Sequence, residues 1–108
     1  MERPSLTDRG PADVVMALAL VHHLAISNNT PLEMIAEWFA KLGRSAVVEM
    51  VPKSDSQVKR LLATREDVFP DYTIEGFRAA FEQHFEVLKS TQIDQSDRVL
   101  FILKSRYF

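Results

Sequence analysis

The feature that most constrains the fold is an uninterrupted apolar run near the start of the chain. Residues 14–21 read Val-Val-Met-Ala-Leu-Ala-Leu-Val, with no polar residue among them. A strand with one face in water alternates apolar and polar residues, so the run predicts a strand covered on both faces. Part of the run also has good helix propensity, but the flanking residues favour a strand.

Helical and extended patterns alternate after this run. Residues 32–42 carry apolar residues at helical spacing. Pro31 suits the first turn of a helix, and Gly43 is expected to end it as a left-handed residue after the last turn. Residues 45–51 are mostly apolar and predict a second buried strand that ends at Pro52. This strand–helix–strand order predicts two parallel strands joined by a helix.

The second half of the chain predicts two helices and a hairpin. Ser54 or Asp55 caps a short helix, and Thr73 caps a longer one. Residues 86–92 and 98–104 predict two strands joined by a turn at residues 93–96. We assign four aromatic side chains to the core because they lie at helical and strand positions: Phe77, Phe81, Phe85 and Phe101.

Together these elements predict an α/β fold, a three-layer sandwich with parallel strands and a terminal antiparallel hairpin. The composition fits one folded domain, since 46% of the residues are hydrophobic and 26% are charged. A formal charge of −2 argues against a partner that is bound by bulk positive charge, such as nucleic acid or an anionic membrane. The chain has no cysteine, which excludes disulfides and thiol chemistry.

Targeting signals are not evident in the sequence. The longest apolar run is far shorter than the roughly 20 residues that span a bilayer. Residues 1–11 lack periodicity and a signal-peptide pattern, and they predict a flexible N-terminal segment. We therefore expect a cytoplasmic protein without a membrane partner.

Three segments resemble the C-terminal half of class I S-adenosylmethionine-dependent methyltransferases. Asp13, the apolar run and His22-His23-Leu24 resemble the fourth strand of that family, with Ala12 where an aromatic residue is usual. Residues 42–49 resemble the passage into the fifth strand, and residues 85–104 resemble the closing hairpin. The resemblance implies a Rossmann-like sheet ordered fourth, fifth, seventh, sixth, with the last strand antiparallel.

A narrower resemblance is carried by residues 19–29, 48–55 and 65–72. These stretches are similar to a group of bacterial methyltransferases often labelled nodulation-related. The overall resemblance covers residues 12–105 in order and implies a partial methyltransferase domain over residues 12–108, from the fourth to the seventh strand.

The elements that hold the cofactor in this family have no counterpart in the sequence. The family binds the methionine end of S-adenosylmethionine on a Gly-rich turn, whereas the glycines here are Gly10, Gly43 and Gly76, far apart from one another. We therefore expect the chain to belong to a longer enzyme and to contribute acceptor-side residues. Alone, it should be inactive and bind the cofactor weakly or not at all, because the cofactor-binding elements would lie in the missing N-terminal half. That half of the same protein would be its partner.

The resemblance implies that residues after the first strand face the cofactor or the acceptor. His22 and His23 are candidate general bases, since an imidazole with a reference pKa of roughly 6.5 suits physiological pH. Adjacent residues of an extended chain point in opposite directions, so at most one should enter the site. Leu20 and His22 are the candidate cofactor contacts. The alternative is that both histidines hydrogen-bond to neighbouring backbone.

Further candidates would line the site of a small-molecule or glycan acceptor. Glu49 is open to a second interpretation, because an unpaired carboxylate in an apolar strand is costly and would pair with Arg44, Lys53 or Arg60. The loop that holds Asp71 also has two interpretations: it lines the acceptor site, or it is an ordinary solvated loop. No metal site is predicted, because neither Glu49 nor His84 has diagnostic spacing to the histidine pair. The acceptor-side candidates are Ser27, Asn28, Asn29, Glu49, Arg65 and Tyr72.

A second functional hypothesis is a stand-alone α/β interaction module without catalysis. Trp38 lies off the main apolar stripe of its helix, which fits contact with a missing segment or a partner.

The fragment hypothesis has a structural consequence. Without a neighbouring first strand, residues 14–21 would form an exposed apolar edge. We expect the chain to form a homodimer through this edge, to swap segments, or to cover the edge with residues 1–11.

Overall fold

The computed structural model describes residues 12–108, so the expectation for residues 1–11 lies outside the described part of the chain. Two helical connections and a hairpin link four strands. In chain order the elements are β1 (Ala12–Ala17), a π-helix (His23–Ser27), α1 (Leu32–Leu42), β2 (Gly43–Met50), α2 (Ser56–Leu62), α3 (Ile74–Glu82), β3 (Phe85–Gln92) and β4 (Val99–Ser105).

The strands form one mixed sheet in the order β1-β2-β4-β3. β1 and β2 are parallel, whereas β4 runs antiparallel to both β2 and β3. The predicted α/β class, the terminal antiparallel hairpin and the strand order are confirmed by this topology. The last strand of the chain therefore lies inside the sheet rather than at its edge.

Local signals explain where the helices begin. The Asp55 carboxylate accepts a hydrogen bond from the Gln57 amide at 2.9 Å and caps α2. The Thr73 hydroxyl accepts one from the Gly76 amide, also at 2.9 Å, and caps α3. Gly43 acts differently from the prediction, because it has an extended backbone and a Cβ there would lie 2.6 Å from Val15 Cγ2. It permits close approach of β1 and β2 rather than a left-handed turn.

Helices α1 and α3 pack against each other and cover one face of the sheet. The Ser105 hydroxyl of β4 donates to the Ala40 carbonyl of α1 at 2.7 Å. The Phe77 ring of α3 lies 4.8 Å from the Phe101 ring of β4. Both connections thus lie on the same side, and residues 12–108 make two layers rather than the predicted three.

The aromatic core lies between α3, β3 and β4. Phe77 and Phe81 stack with their ring centroids 4.2 Å apart, and Phe81 is 5.8 Å from Phe85. Phe39 of α1 meets Phe81 edge-to-face at 6.3 Å. These rings and Phe101 are buried, so the assignment of the predicted aromatic set to the core is confirmed.

β1 differs from its prediction in both length and burial. It ends at Ala17, and Ala19 has a left-handed backbone (φ 54°) that turns the chain before a helical segment begins at Val21. Val14 is 50% exposed and Met16 is 65% exposed. The prediction of a strand over residues 14–21, covered on both faces, is therefore wrong for the described residues, because the helices cover only one side.

The other side of the sheet presents an apolar row that we call the open face: Val14, Met16, Val47 and Ile102. Met16 is paired with Val47, and Val47 with Ile102, across three adjacent strands. β1 has β2 on one side and no strand on its other side within residues 12–108. No helix in that range is long and apolar enough to cross a lipid bilayer.

Candidate functional site

Polar side chains meet at the edge of the sheet where β1 and β2 end. His22 follows β1, Glu49 is the penultimate residue of β2, and Asp55 lies in the loop after β2. Arg98 immediately precedes β4, which runs in the opposite direction, so it reaches the same edge. In open α/β sheets, ligands bind beyond the carboxyl ends of the parallel strands. We call these four residues the edge cluster.

Arg98 holds the two acids of the edge cluster. Its Nε and Nη2 atoms donate to the two Asp55 carboxylate oxygens at 2.8 and 3.2 Å, and its Nη1 lies 3.4 Å from Glu49 Oε1. The hydrogen bonds from Arg98 hold the pKa of Asp55 below its usual value. We expected Glu49 to pair with Arg44, Lys53 or Arg60. That expectation is wrong, because Arg98 at the start of the last strand is the cation that lies beside it.

His22 is fully buried, and neither of its ring nitrogens has a hydrogen-bond partner among the described residues. Its ring lies 4.2 Å from the His23 ring, and His23 is exposed. Burial lowers the pKa of His22, and the nearby His23 and Arg98 lower it further; Gln57 and Asp55 act in the opposite direction without reversing the shift. The side chain is therefore a neutral imidazole at physiological pH, with a lone pair that can accept a proton or a hydrogen bond.

The two histidines are brought together by helical rather than extended backbone. Residues 21–27 are helical, so consecutive side chains project about 100° apart instead of in opposite directions. The premise that His22 and His23 lie on extended backbone is therefore wrong, whereas the prediction that at most one of them enters the site stays a prediction.

Tyr72 links the loop before α3 to the end of β2. It is buried, and its hydroxyl donates a hydrogen bond to the Val51 carbonyl. Burial raises the pKa of Tyr72, and the charge of Asp55 raises it further. The phenol thus stays protonated and serves as a fixed donor in this position.

The loop between α2 and α3 is exposed but anchored at two points. Arg65 Nη1 donates to the Ile26 carbonyl of the π-helix at 2.9 Å. Lys53 Nζ donates to Asp67 at 2.9 Å and to the Phe69 carbonyl at 2.7 Å. The hydrogen bond from Lys53 lowers the pKa of Asp67. Both anchors hold the loop against the carboxyl edge.

A groove of about 480 Å³ opens between this loop, the start of α1 and one side of α3. That volume lies in the range of sites for small molecules. Gly76 lets the loop pass close to α3, because a Cβ there would lie 2.0 Å from the Asp71 carbonyl oxygen. The groove is lined by Ala25, Asn29, Thr30, Pro31, Leu32, Glu33, Val68, Phe69, Pro70, Asp71, Tyr72, Gly76, Ala79, Ala80 and Gln83.

The predicted site residues separate into three groups. Two belong to the edge cluster, and two line the groove, while the rest lie outside both. His22 and Glu49 form the first group; Asn29 and Tyr72 form the second; and Leu20, His23, Ser27, Asn28 and Arg65 form the third. Arg65 acts as an anchor of the π-helix rather than as a lining residue.

Sequence reasoning missed Asp55 and Arg98 as site residues. Asp55 was expected to cap a helix, which it does, but its carboxylate also binds Arg98. The two residues are 43 positions apart, and each follows ordinary loop or turn chemistry in its own segment. Only the antiparallel position of β4 beside β2 brings them together.

The two glycines of the described residues are both tightly packed. At Gly43 and Gly76, the space that a Cβ would fill already holds a side chain or a backbone carbonyl. Neither glycine therefore offers an open cradle of backbone amides. Residues 12–108 also contain no group of three or more His, Asp and Glu side chains arranged to hold a metal ion.

Comparison with known proteins relates the chain to a nodulation protein. No protein-family model matches it, and no solved structure matches it. It is similar to the nodulation protein NoeA of Rhizobium meliloti (strain 1021), with 42% identity over 100 residues. The match covers 93% of this chain and 21% of NoeA, so the chain spans about a fifth of the length of that relative. The resemblance to a nodulation-related group is supported at this level.

Proposed function

We propose that this chain forms the acceptor-side part of an S-adenosylmethionine-dependent methyltransferase, with the cofactor held by other parts of the protein. The observation that carries the proposal is the sheet order β1-β2-β4-β3 with β4 reversed. This order is the one implied by the methyltransferase resemblance, and it joins strands that are far apart in the sequence. A cytoplasmic location belongs to the same proposal.

The edge cluster supplies the acid–base chemistry in this proposal. His22 is neutral, buried and unpartnered within the described residues, so it can accept a proton from the oxygen or nitrogen of an acceptor. Asp55 and Arg98 act as positioning residues that fix the loops around it. The groove would admit a small-molecule or glycan acceptor by its size, and Ala25 of its wall lies three residues after His22 in the same helical segment.

The similarity to NoeA supports a nodulation-related role for the longer protein, and it also provides the test. We would measure S-adenosylmethionine binding by calorimetry with NoeA, with the 108-residue chain, and with a chimera in which this chain replaces the matching segment of NoeA. The proposal expects binding by NoeA and the chimera, and none by the chain alone. Micromolar affinity of the chain alone, or no binding by NoeA, would contradict it.

The chimera also tests the role of His22. His22→Gln should lower methyl transfer to an acceptor while leaving cofactor affinity unchanged. His84→Gln is the matched control, because His84 is a buried histidine that contacts Tyr107 and lies outside the edge cluster. Equal losses in the two variants would refute a specific role for His22.

A second candidate function is an α/β interaction module. It is favoured by the open face and by two exposed apolar side chains of α1, Met34 at 60% and Trp38 at 52% exposure. In that case the chain would bind another polypeptide, or a second copy of itself, with no need for the cofactor. Light scattering combined with the calorimetry distinguishes the two, because only the enzyme requires cofactor binding by the chimera.

A further inference from the structure

The charged side chains that line the groove beside α3 are all negative. Among its lining residues, Glu33 and Asp71 carry carboxylates, and no lysine or arginine from residues 12–108 lines it. Asn29, Thr30 and Gln83 add neutral polar groups. An anionic ligand would therefore meet repulsion in this groove, and a cationic one would meet attraction.

Among residues 12–108, neither carboxylate forms an ion pair with a lysine or an arginine. Glu33 Oε1 lies 3.9 Å from His84 Nε2, which is too far for a hydrogen bond and is an ion pair only when the imidazole is protonated, so no lysine or arginine holds the Glu33 carboxylate. The basic residues of the nearby loop are engaged elsewhere. Arg65 bonds the Ile26 carbonyl, and Lys53 bonds Asp67.

The body of the groove is apolar. Its walls include Pro31, Phe69 and Pro70, and small residues such as Ala79 and Ala80 leave the space open. An aromatic ring near carboxylates is the usual setting for an organic cation, because the ring face and the carboxylates both attract positive charge. Apolar walls would bury the carbon skeleton of such a ligand.

We propose that this groove binds a small organic cation, an amine-bearing molecule with an apolar body. The ammonium group lies between Glu33 and Asp71, and the body lies against Phe69 and the alanines of α3. The inference rests on the charge and the lining of the groove alone, so it does not depend on methyl transfer.

Three small molecules that share a benzyl or phenyl ring test whether the groove prefers a positively charged ligand. Benzylamine, benzyl alcohol and benzoate share a ring and differ in carrying a positive, zero or negative charge. Each would be titrated into the ¹⁵N-labelled chain, with the amide signals of Thr30, Glu33 and Gly76 as reporters. We expect benzylamine to bind most tightly and benzoate least, and high salt should reduce the advantage of benzylamine.

Two variants locate the effect. Replacing both carboxylates, E33Q with D71N, should raise the benzylamine Kd roughly fivefold and leave benzyl alcohol unchanged. The control, E86Q with D94N, removes the same two charges from exposed positions outside the groove and should change the benzylamine Kd less than about twofold. If the first pair perturbs the folded spectrum, D71N alone gives the same comparison.

A third variant tests the place of binding. Ala79 is exposed on α3, so A79F should fill the groove without disturbing the core and should abolish the shifts caused by benzylamine and benzyl alcohol alike. The proposal is overturned if benzoate binds as tightly as benzylamine, if E33Q with D71N behaves like its control, or if A79F leaves binding unchanged.

Discussion

The aromatic core and the edge cluster belong to the same sheet but differ in whether their buried polar groups have hydrogen-bond partners. Beneath α1 and α3, aromatic rings stack on one another, and the buried Ser105 hydroxyl is bonded to the Ala40 carbonyl. At the carboxyl edge, Arg98 binds Asp55, and His22 is buried with both nitrogens unpartnered among residues 12–108. Burying a polar group without a partner costs stability.

This difference separates side chains whose burial stabilises the fold from side chains, such as His22, whose burial costs stability. Core side chains gain free energy by burial, so their removal should always destabilise the protein. Groups that are costly to bury concentrate at functional sites, where activity is gained at the expense of stability. Replacing an unpartnered buried group such as His22 should therefore differ from a core substitution in sign as well as in size, whereas Asp55 and Arg98, which are paired, should behave like the core.

The largest effect is expected in the core. Phe81→Ala should lower the free energy of unfolding by about 3–5 kcal/mol, because the ring contacts Phe39, Phe77 and Phe85. Ile102→Ala, on the open face, should cost less than about 1 kcal/mol. Urea denaturation measures both. A loss at Ile102 as large as that at Phe81 would mean that the open face is covered in solution.

The next effect concerns the ion pair at the edge. Asp55→Ala removes the cap of α2 and leaves the Arg98 cation half-buried without its main partner, at a cost of about 2–3 kcal/mol. Asp55→Asn keeps a capping oxygen and should recover about 1 kcal/mol of that loss. Thermal unfolding at pH 7 compares the two variants. Equal stability would show that the cap contributes nothing beyond the charge.

At His22 the sign should reverse. Its lowered pKa means that the unfolded chain binds a proton more readily than the folded one, so the protein loses stability as the pH falls through roughly 6.5, the ordinary histidine value. His22→Leu cannot gain this proton and should be more stable than the natural chain at pH 5 by about 1–2 kcal/mol.

The measurement for His22 is urea unfolding from pH 8 down to pH 5. His23→Leu is the comparison variant. It removes the charge of His23, a smaller cause of the lowered pKa of His22, and leaves burial, the larger cause, in place, so it should weaken the acid dependence less than His22→Leu does. A His22→Leu variant that is as acid-sensitive as the natural chain would show that His22 finds a partner when it is protonated.

The smallest effect on stability is expected on the open face. Met16→Lys should change the free energy of unfolding by less than about 0.5 kcal/mol, because the side chain is exposed. If copies of the chain associate through β1, as the interaction-module proposal allows, the added charge should reduce that association, which light scattering measures. Gln92→Lys, at an exposed position of β3, controls for added charge. Association that survives Met16→Lys would place the contact elsewhere.

Much of the fold follows from local patterns. Helices α2 and α3 begin at the expected caps, and the phenylalanines of α3 face inward, because capping and helical spacing depend on neighbours in the sequence. The strand order was predicted through the family resemblance rather than from any one segment. The end of β1 was not predicted, because Ala and Leu suit a strand and a helix alike, and the left-handed Ala19 decided between them.

The amino-acid sequence by itself determined the order of the strands and of α1, α2 and α3, the caps of α2 and α3, and the aromatic residues of the core, but not the π-helix after β1. Only the tertiary structure decided that Arg98 meets Asp55, that His22 is buried without a partner among the described residues, and that Glu33 and Asp71 line one groove. The reason is physical. Propensity and periodicity act over a few residues, whereas a site is made by segments that the sheet brings together from distant parts of the chain.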